Sequence, residues 1–464
     1  MQLKGKTVIE LKDVHTGEVE VVEEENMVTN AVAQLFSNNI EGMLFTIQGS
    51  GTANWSDYNL PICPNAIGGI LLFSDQLVED ANNIYAPSAN PCVGYASNNV
   101  NSTADVYRGS LNLTESGKIE KGYKFVWDFA TSQGNGTISA VALTHKRGGV
   151  GYFGDEYDAG NRWLQMKNIS NGFSGEKCNW YLDTVEVNFD GNYFYSISVN
   201  TANEIVINKI RKCFRQIGLN FSLKEPGDEL LESTKIVPSS FMTGYSSGNG
   251  YFDFVDGKDG YWYGFASGGN SSGNATVRWI KIKKSDYSFS EGTWTLESVQ
   301  IQNMGNRSGY GGSPYKETKI VALNGYVYFM HYNRTGLYKV NMNNPADITF
   351  IKFGFTSNFS GGDNYGYTYM WVLGDWIFGS DFRVGSDDKV YKTTNNRALS
   401  YVCTPFFQYG PYALTFGRYY WSSESIYKGL WLITPYLATI NNLSTSVIKT
   451  ADKTMKITYT IEEQ

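Results

Sequence analysis

The acidic side chains are the first residues in this sequence that could do chemistry, because two suitably spaced carboxylates are enough to hydrolyse a glycosidic bond. The candidates lie in three segments, which supply Asp155, Glu156 and Asp158, then Asp253 and Asp256, and finally Asp387 and Asp388. Each is explained more simply as a loop carboxylate that stabilises a turn or holds Ca²⁺. We therefore expect no catalytic residue and no enzyme activity, with a glycosidase as the open alternative.

Motifs for metals, nucleophiles and cofactors are missing from the sequence. The three histidines, His15, His145 and His331, lie far apart, and no HExxH or His-x-His spacing occurs, so a zinc site is not expected. No GxSxG, P-loop or GxGxxG motif stands in a strand–turn–helix context. The sequence thus predicts no metal and no cofactor, and it places His15 in an exposed turn. Five scattered cysteines form no CxxC pair and are expected to be reduced, structural thiols: Cys63, Cys92, Cys178, Cys213 and Cys403.

The segment SFSEGTW, residues 288–294, resembles the Asp-box turn of sialidases. It lacks the aspartate, is one residue short, and has no second copy in the sequence. We interpret it as a propeller turn and expect no sialidase activity from it.

Composition narrows the class of protein further. Of 464 residues, 49 are Gly and 15% are aromatic, while only 18% are charged, which favours an all-β protein with many tight turns. The net charge is −7 and no long Lys/Arg run occurs, so nucleic-acid binding is not expected. No apolar stretch approaches the roughly eighteen residues of a bilayer span, and the first residues lack the apolar block of a secretory signal. We expect synthesis in the cytoplasm and no membrane insertion.

An internal repeat determines the predicted architecture. Five times a strand runs into a Gly-centred turn and leaves through an aromatic-rich strand, at Gly191, Gly260, Gly325, Gly374 and Gly417. Glycine reaches the positive φ of such turns at little steric cost. Units of about 40–50 residues with about four strands are typical of propeller blades. We predict an all-β fold containing a β-propeller of about five to seven blades, with a β-sandwich as the alternative.

The two ends of the sequence predict amphipathic strands. Near the start, TVIELKDV and EVEVVEEE alternate around a turn at Gly17, which predicts a hairpin with Thr7, Ile9 and Leu11 on one face, and a short helix follows over 30–36. Near the end, TMKITYTIEE alternates with period two. Because unpaired edge strands invite aggregation, we expect the terminal strands to meet in a small β-rich docking module, or to pair with a partner subunit.

These elements divide the sequence into four predicted parts. Residues 1–48 hold the N-terminal hairpin and the short helix and serve attachment, and residues 49–150 form a β-rich region leading into the propeller. The propeller spans 151–440, and the C-terminal strand in 441–464 serves attachment. Within the second part, KFVWDFATS and TISAVALTHK are joined by QGNG and are predicted to form a long hairpin.

Aromatic side chains that the blades do not need for their core are candidates for ligand binding. Several stand in loops rich in Gly, Ser and Asn, namely SSGNGYFDF, GNRSGYGGSPYKE and SNFSGGDNYGYTY. The apolar C–H face of a sugar stacks on Tyr or Trp while Asn, Asp and Ser bind the hydroxyl groups. The predicted glycan-binding residues are Tyr251, Tyr310, Tyr315, Tyr365, Tyr367 and Asp363.

The terminal segments carry a family resemblance. The segments KGKTVIELKDVHTGEVEVVEEENMVTNAV, GGILLFSDQLVEDANNIYAPSANPCVGYAS, RGSLNLTESGKIEKGYKFVWDFATSQGNGTISAVALTHKRGG and LATINNLSTSVIKTADKTMKITYTIEEQ resemble tail-associated proteins of tailed bacteriophages of Gram-positive hosts. The resemblance covers roughly residues 1–150 and 438–464. It implies a virion protein of the tail fibre, tail tip or baseplate, with ends for attachment and a middle for adhesion, and it implies no catalytic residue.

The residues and the resemblance together predict a structural virion protein of a phage tail. We expect it to bind other tail proteins through its terminal segments and a bacterial surface polysaccharide through its propeller. Several weak sugar sites on one particle gain avidity, so a homo-oligomer is expected. The alternatives are a tail-associated polysaccharide depolymerase and a purely structural tail or head component.

Overall fold

The fold is described by a computed structural model of the chain. Over the described residues the regular secondary structure is β-strand, apart from a helical segment at 30–32. The predicted helix over 30–36 begins there, and its remainder lies outside the described residues. Within those residues, no helix is long and apolar enough to cross a membrane. The described residues are 3–32, 67–90, 92–97, 105–144, 162–166, 183–188, 191, 193–211, 229–247, 250–305, 307–310, 313–316, 319–357, 370–379, 381–392, 406–410, 412–415, 418–419, 425–426, 428–432 and 436–463.

The strands are numbered in chain order. The first twelve are β1 (Leu3–Asp13), β2 (Val19–Val28), β3 (Gly69–Phe73), β4 (Cys92–Ala96), β5 (Ser110–Leu111), β6 (Gly117–Ile119), β7 (Gly122–Phe129), β8 (Gly136–Thr144), β9 (Arg162–Met166), β10 (Thr184–Asn188), β11 (Tyr193–Val199) and β12 (Ile205–Arg211). The next twelve are β13 (Glu229–Ile236), β14 (Phe252–Asp256), β15 (Tyr261–Ala266), β16 (Ala275–Lys283), β17 (Phe289–Leu296), β18 (Arg307–Tyr310), β19 (Ser313–Lys316), β20 (Ile320–Leu323), β21 (Tyr326–Met330), β22 (Gly336–Asn341), β23 (Ile348–Lys352) and β24 (Met370–Leu373). The last ten are β25 (Trp376–Gly379), β26 (Phe382–Val384), β27 (Val390–Lys392), β28 (Phe406–Tyr409), β29 (Tyr412–Thr415), β30 (Arg418–Tyr419), β31 (Ser425–Ile426), β32 (Lys428–Leu432), β33 (Thr439–Lys449) and β34 (Lys453–Glu463).

Five four-stranded antiparallel sheets form a β-propeller and are called blades one to five. Blades one to four each consist of consecutive strands, β10–β13, β14–β17, β20–β23 and β24–β27. Blade five has the order β28-β29-β32-β9 and so takes its outer strand from a point in the chain before blade one. The first strands of all five blades border one cavity. This arrangement confirms the predicted propeller, and the β-sandwich alternative does not describe it.

Glycine turns join the first two strands of the blades. Gly260, Gly325 and Gly374 occupy this turn in blades two, three and four, with φ of +90°, +80° and +58°, a region that other residues rarely adopt. In blade five the corresponding turn, between β28 and β29, holds Gly410 with φ +55°. The repeat predicted at Gly417 was therefore assigned to the wrong turn, because the residues before Gly417 form β29, which is the second strand of its blade.

Aromatic and aliphatic side chains fill the spaces between blades. Trp262 and Phe265 on β15 are fully buried and face opposite neighbours. Trp262 belongs to the core shared with blade one, and Phe265 belongs to the core shared with blade three. There Phe265 meets Phe329 edge-on, with ring centroids 5.7 Å apart. The aromatic strand that follows each turn therefore supplies the packing between blades, as the repeat predicted.

A ten-stranded sheet brings the two ends of the sequence together. Its strand order is β4-β3-β8-β33-β2-β1-β34-β7-β5, and β6 pairs with β7. β1 and β34 pair antiparallel from Leu3 opposite Glu463 to Asp13 opposite Lys453. The sheet is nearly closed, because Tyr95 in β4 exchanges backbone hydrogen bonds of 2.9 Å with the segment that precedes β5. The predicted module of the N- and C-terminal strands is thus present, and β3–β8, from the part predicted to lead into the propeller, belong to it as well. We call the ten-stranded sheet with its connecting loops the terminal module.

Local strand patterns predicted some pairings in this module and missed others. The hairpin of β1 and β2, with Gly17 in its turn, is confirmed. The long hairpin predicted for β7 and β8 is wrong, because β7 pairs with β34 and β8 pairs with β3 and β33. The two C-terminal strands take the partner positions that a local hairpin would fill. The SFSEGTW segment is also not a turn, since Phe289–Leu296 forms the outer strand of blade two.

One apolar core joins the terminal module to the propeller. Ile457 and Tyr459 on β34 are fully buried, and they share a cluster with Phe194 of blade one and Trp376 of blade four. Burial of such side chains contributes about 1.5–3 kcal/mol each to stability. The module is therefore an integral part of the folded molecule.

The β34 pairing gives a stability prediction. Ile457→Ala removes a fully buried side chain beside Trp127 and β1 and is expected to lower the free energy of unfolding by about 2–5 kcal/mol. Thr458→Ala is the matched control, since it lies on the opposite face of the same strand, and we expect it to cost less than about 1 kcal/mol. Urea unfolding measures both. Equal losses for the two variants would contradict the buried face assigned here.

Candidate functional site

The propeller has two faces that differ in what they present. The inner strands begin at one face, which we call the start face, and end at the other in the glycine turns, which we call the turn face. On blade two the start face is reached by the connection before β14 and by the loop between β15 and β16.

Backbone hydrogen bonds tie neighbouring blades together on the start face. The Ser267 amide donates to the Tyr251 carbonyl at 2.9 Å, and the Met304 amide donates to the Ser267 carbonyl at 3.0 Å. The Gln302 amide then donates to the Met330 carbonyl of blade three at 3.0 Å. The connection between blades two and three is therefore hydrogen-bonded to both of these blades.

The same chain of contacts continues to blade four. The Ser357 amide donates to the Arg334 carbonyl at 2.9 Å, and its hydroxyl donates to the Asp381 carboxylate at 2.5 Å. Ser357 and Asp381 are both buried. Because these contacts link the start ends of blades two, three and four, the loops there form one continuous rim.

The terminal module occupies the turn face. The Tyr85 hydroxyl donates to the Gly410 carbonyl at 2.5 Å, and the Trp376 indole donates to the Ala86 carbonyl at 2.8 Å. Gly374 lies against the Tyr85 ring. Gly374 and Trp376 lie at the glycine turn of blade four, and Gly410 lies in the glycine turn of blade five. The start face is thus on the side of the propeller opposite to the terminal module.

Tyr251, a predicted glycan-binding residue, lies on the start face beside a second tyrosine. Tyr251 and Tyr245 are half-buried and meet edge-on, with ring centroids 6.3 Å apart. Exposed Gly268 lies against both rings, and its amide donates to the Tyr245 hydroxyl at 3.3 Å. Two rings, each with a hydroxyl at its tip, form the kind of surface on which a sugar ring can stack. We call Tyr245 and Tyr251 the tyrosine pair.

A carboxylate from blade two fixes the loop that carries the tyrosine pair. Glu291 accepts hydrogen bonds from the amides of Ser239, Ser240 and Phe241 at 2.7, 2.9 and 2.8 Å, and from both serine hydroxyls. Partial burial opposes its charge, but these donors lower the pKa of the Glu291 carboxyl from 4.5 to about 2. Phe241 is fully buried beneath the loop. The chain leading to Tyr245 is therefore anchored at two points.

The other predicted glycan-binding residues fall in two further connections. Tyr310 and Tyr315 lie in β18 and β19, which pair with Tyr310 opposite Ser313 and Ser308 opposite Tyr315. This hairpin belongs to the connection between blades two and three. Asp363, Tyr365 and Tyr367 lie outside the described residues. The structure therefore places Tyr251 and the β18–β19 hairpin in consecutive connections, and these residues stay predictions as glycan ligands.

A central cavity of about 390 Å³ lies between the inner strands of all five blades. Each of these strands is at the edge of its sheet, so its backbone groups on the inner side are not used in that sheet.

At the junction of blades one and two, Lys284 forms ion pairs of 2.8 Å with Glu186 and 2.7 Å with Asp256. Burial opposes the lysine charge, but the hydrogen bonds to both carboxylates raise the pKa of Lys284. The Trp262 indole also donates to Glu186 at 2.8 Å.

Most of the acidic candidates for catalysis have structural partners. Asp256 binds Lys284 and also accepts a hydrogen bond from the Lys258 amide at 2.7 Å. Asp387 pairs with Lys389 at 2.7 Å, and Asp388 pairs with Lys339 at 2.9 Å.

Asp253 is buried and accepts a hydrogen bond from the Phe254 amide. Asp155, Glu156 and Asp158 lie outside the described residues. The acidic side chains that can be located are thus used in turns and ion pairs.

His15 and Cys92 lie among the described residues, in surroundings typical of a turn residue and of a structural thiol. His15 lies in the exposed turn between β1 and β2, as predicted. Burial raises the pKa of the Cys92 thiol to about 12, so it stays protonated. His145 and the other four cysteines lie outside the described residues. Over the described part of the chain, no group of three or more His, Cys, Asp or Glu side chains is arranged to hold a metal ion.

Three features of the site were missed by the sequence analysis. Glu291 and the ion pairs of Lys284 depend on contacts between residues far apart in the chain, and Tyr245 is held by a hydrogen bond from Gly268 in another loop. Glu291 contacts residues about fifty positions earlier in the chain. No sequence motif marks such a contact. A Tyr in a loop rich in Gly and Ser was the one available signal for Tyr245.

Comparisons with known proteins give a limited result. No protein-family model and no curated protein matches the sequence. Two solved structures of AztD from Citrobacter koseri, one of them the apo form, are 10% identical over 85% of this chain and 96% of AztD, with TM-scores of 0.24 and 0.25. The β-propeller domain of the Trilobed protease from Pyrococcus furiosus is 8% identical over 62% of this chain and 99% of that domain, with a TM-score of 0.22. Because these TM-scores are low, the fold assignment rests on the strand pairing described above.

Glu291 gives a pH prediction. Its pKa lies below the ordinary value of 4.5 in the folded protein, so its stabilisation is fully present above about pH 4.5 and is lost as the pH falls towards about 2. In Glu291→Gln we expect the free energy of unfolding to be lower at neutral pH and to fall less over that acidic range. Urea unfolding at a series of pH values measures this. Glu297→Gln, an exposed glutamate just beyond β17, is the control, and an identical acid profile for wild type and Glu291→Gln would contradict the anchor.

Proposed function

We propose that this chain is a structural protein of a bacteriophage tail that attaches to a glycan on a bacterial surface. The observation that carries the proposal is the position of the terminal module on one face of the propeller, with the tyrosine pair on the opposite face. One side is then suited to attachment to a larger assembly, and the other is left for a target. The resemblance of the terminal segments to phage tail proteins supports the same division.

The glycan is proposed as the target because of the chemistry of the start face. The tyrosine pair offers two half-buried rings with hydroxyl groups, and the adjacent loop is held beside them by the bonds of Gly268 to Tyr245 and of Asn270 to Val299. Sugars combine an apolar C–H face with hydroxyl groups, so they fit a ring bordered by amides. Single sugar contacts of this kind are weak, and repeated copies of the protein on one particle would raise the overall affinity.

The alternative of a polysaccharide depolymerase has less support. Asp256, Asp387 and Asp388 are held in ion pairs with lysines, which leaves them poorly placed to transfer a proton or attack a sugar. A purely structural role in the tail or head would need the start face to be covered by neighbouring subunits. Electron microscopy of particles bearing an antibody against the start face would separate that role from adhesion.

The proposal makes a binding prediction. Tyr251→Ala removes one ring of the pair and is expected to weaken binding to wall polysaccharide purified from the bacterial host by about tenfold, because a stacking contact contributes about 1–1.5 kcal/mol. Biolayer interferometry on immobilised polysaccharide measures this. Tyr123→Ala removes a tyrosine of similar type on β7 of the terminal module, 38% exposed, and should bind like wild type. Unchanged binding by Tyr251→Ala and a Tyr245→Ala/Tyr251→Ala double variant would remove the tyrosine pair from the proposal.

A further inference from the structure

A second aromatic cluster lies on blade three, apart from the tyrosine pair. His331, Tyr338 and Phe350 contact one another with ring centroids 5.8 Å, 5.3 Å and 4.9 Å apart. Phe350 is 41% exposed, and the other two rings are half-buried. Three rings in mutual contact, one of them exposed, form a continuous aromatic surface. We call these three residues the blade-three cluster.

The strands of blade three hold the cluster in place. Tyr338 on β22 stands directly opposite Phe350 on β23, which is the cross-strand position where two rings pack best. A Cβ atom on Gly336 would lie 2.7 Å from the Phe350 ring, so the ring lies over bare backbone at this position. The orientation of Phe350 therefore depends on a glycine beneath it.

His331 contributes a polar edge to the cluster. Its Nδ1 accepts a hydrogen bond from the Asn333 amide at 3.1 Å, and the Thr335 hydroxyl lies 3.1 Å from the same atom. Burial lowers the pKa of His331, so the ring is neutral near pH 7. With Nδ1 accepting, the ring proton resides on Nε2, which makes that nitrogen a hydrogen-bond donor.

Neutral polar groups border the cluster near His331 on the rim of the start face, while exposed Lys352 stands opposite Gly336. The Tyr332 amide donates to the Gln300 carbonyl at 2.9 Å, and the Gln302 side-chain amide donates to the Tyr332 carbonyl at 3.4 Å. Asn333 is exposed next to His331. The rings thus end in a border of amides and hydroxyls on the same rim that carries Tyr251.

From this geometry we propose that the blade-three cluster binds the pyranose ring of a glycan. Three rings offer room for one sugar ring, whereas a stable protein partner needs about 800 Å² on each side. The C–H face of the sugar would lie on Phe350 and Tyr338, and its hydroxyls would reach His331 and Asn333. This site rests on the proposed function for its ligand class, and it would give the start face a second contact with the same polymer, which multiplies affinity through effective concentration.

The test uses simple sugars and full-length variants. Saturation-transfer NMR is run with methyl β-D-galactopyranoside, methyl α-D-glucopyranoside and N-acetylglucosamine at millimolar concentration. The protein carries Tyr245→Ala and Tyr251→Ala, so that the tyrosine pair does not contribute. We expect transfer to the ring C–H protons of at least one sugar, and a loss of more than about half of it when Phe350→Leu is added.

Two variants separate ring stacking from a folding defect. Phe350→Leu keeps an apolar side chain but no ring, whereas Phe350→Trp keeps an aromatic ring and should retain the transfer. Phe289→Leu, at a phenylalanine 39% exposed on β17, is the matched control and should leave it unchanged. Transfer that is unaffected by Phe350→Leu, or absent for all three sugars, would overturn the inference. Binding of polysaccharide that depends on Tyr251 would survive that outcome, so the proposed function fails separately.

Discussion

The antiparallel pairing of β1 with β34 is the constraint on which the rest of the molecule depends. Eleven residues of each strand are in register, and the two strands are flanked by β2 on one side and β7 on the other. Ile9 and Leu11 of β1 and Ile457 and Tyr459 of β34 point into one core. That core continues to aromatic side chains of blades one and four, so the position of the propeller is fixed by the same apolar packing that holds the terminal strands.

The propeller also contains a pairing between strands that are far apart in sequence. Its fifth blade is completed by β9, which precedes blade one in the chain. A ring closed by strand pairing between distant segments cannot open at that point without breaking a row of backbone hydrogen bonds. The terminal module and the propeller each contain pairs of strands that lie far apart in sequence, which makes the fold rich in long-range contacts and slow to assemble compared with a local meander.

Sequence patterns predicted where the strands lie better than which strands pair with each other. Period-two alternation identified the buried side of β34 from Met455 to Ile461, and glycine turns located the inner hairpins of blades two to four. The two strand segments of β7 and β8, joined by QGNG, suggested a hairpin that does not form, because a strand pattern says nothing about which strand lies alongside. In the site, Tyr251 was found from loop composition. Glu291 and Tyr245 were not, because their roles arise from contacts between segments that only the folded chain brings together.

The rim on the start face has a consequence for how the molecule can change. The bonds that join blades two, three and four there are mostly between main-chain groups, such as Met304 to Ser267 and Gln302 to Met330. Main-chain bonds do not require particular side chains. Loop residues other than those with structural side-chain bonds, such as Ser357 and Asp381, are therefore free to be exchanged while the scaffold beneath keeps its shape. A few point substitutions in these loops are therefore enough to change which ligand the start face prefers.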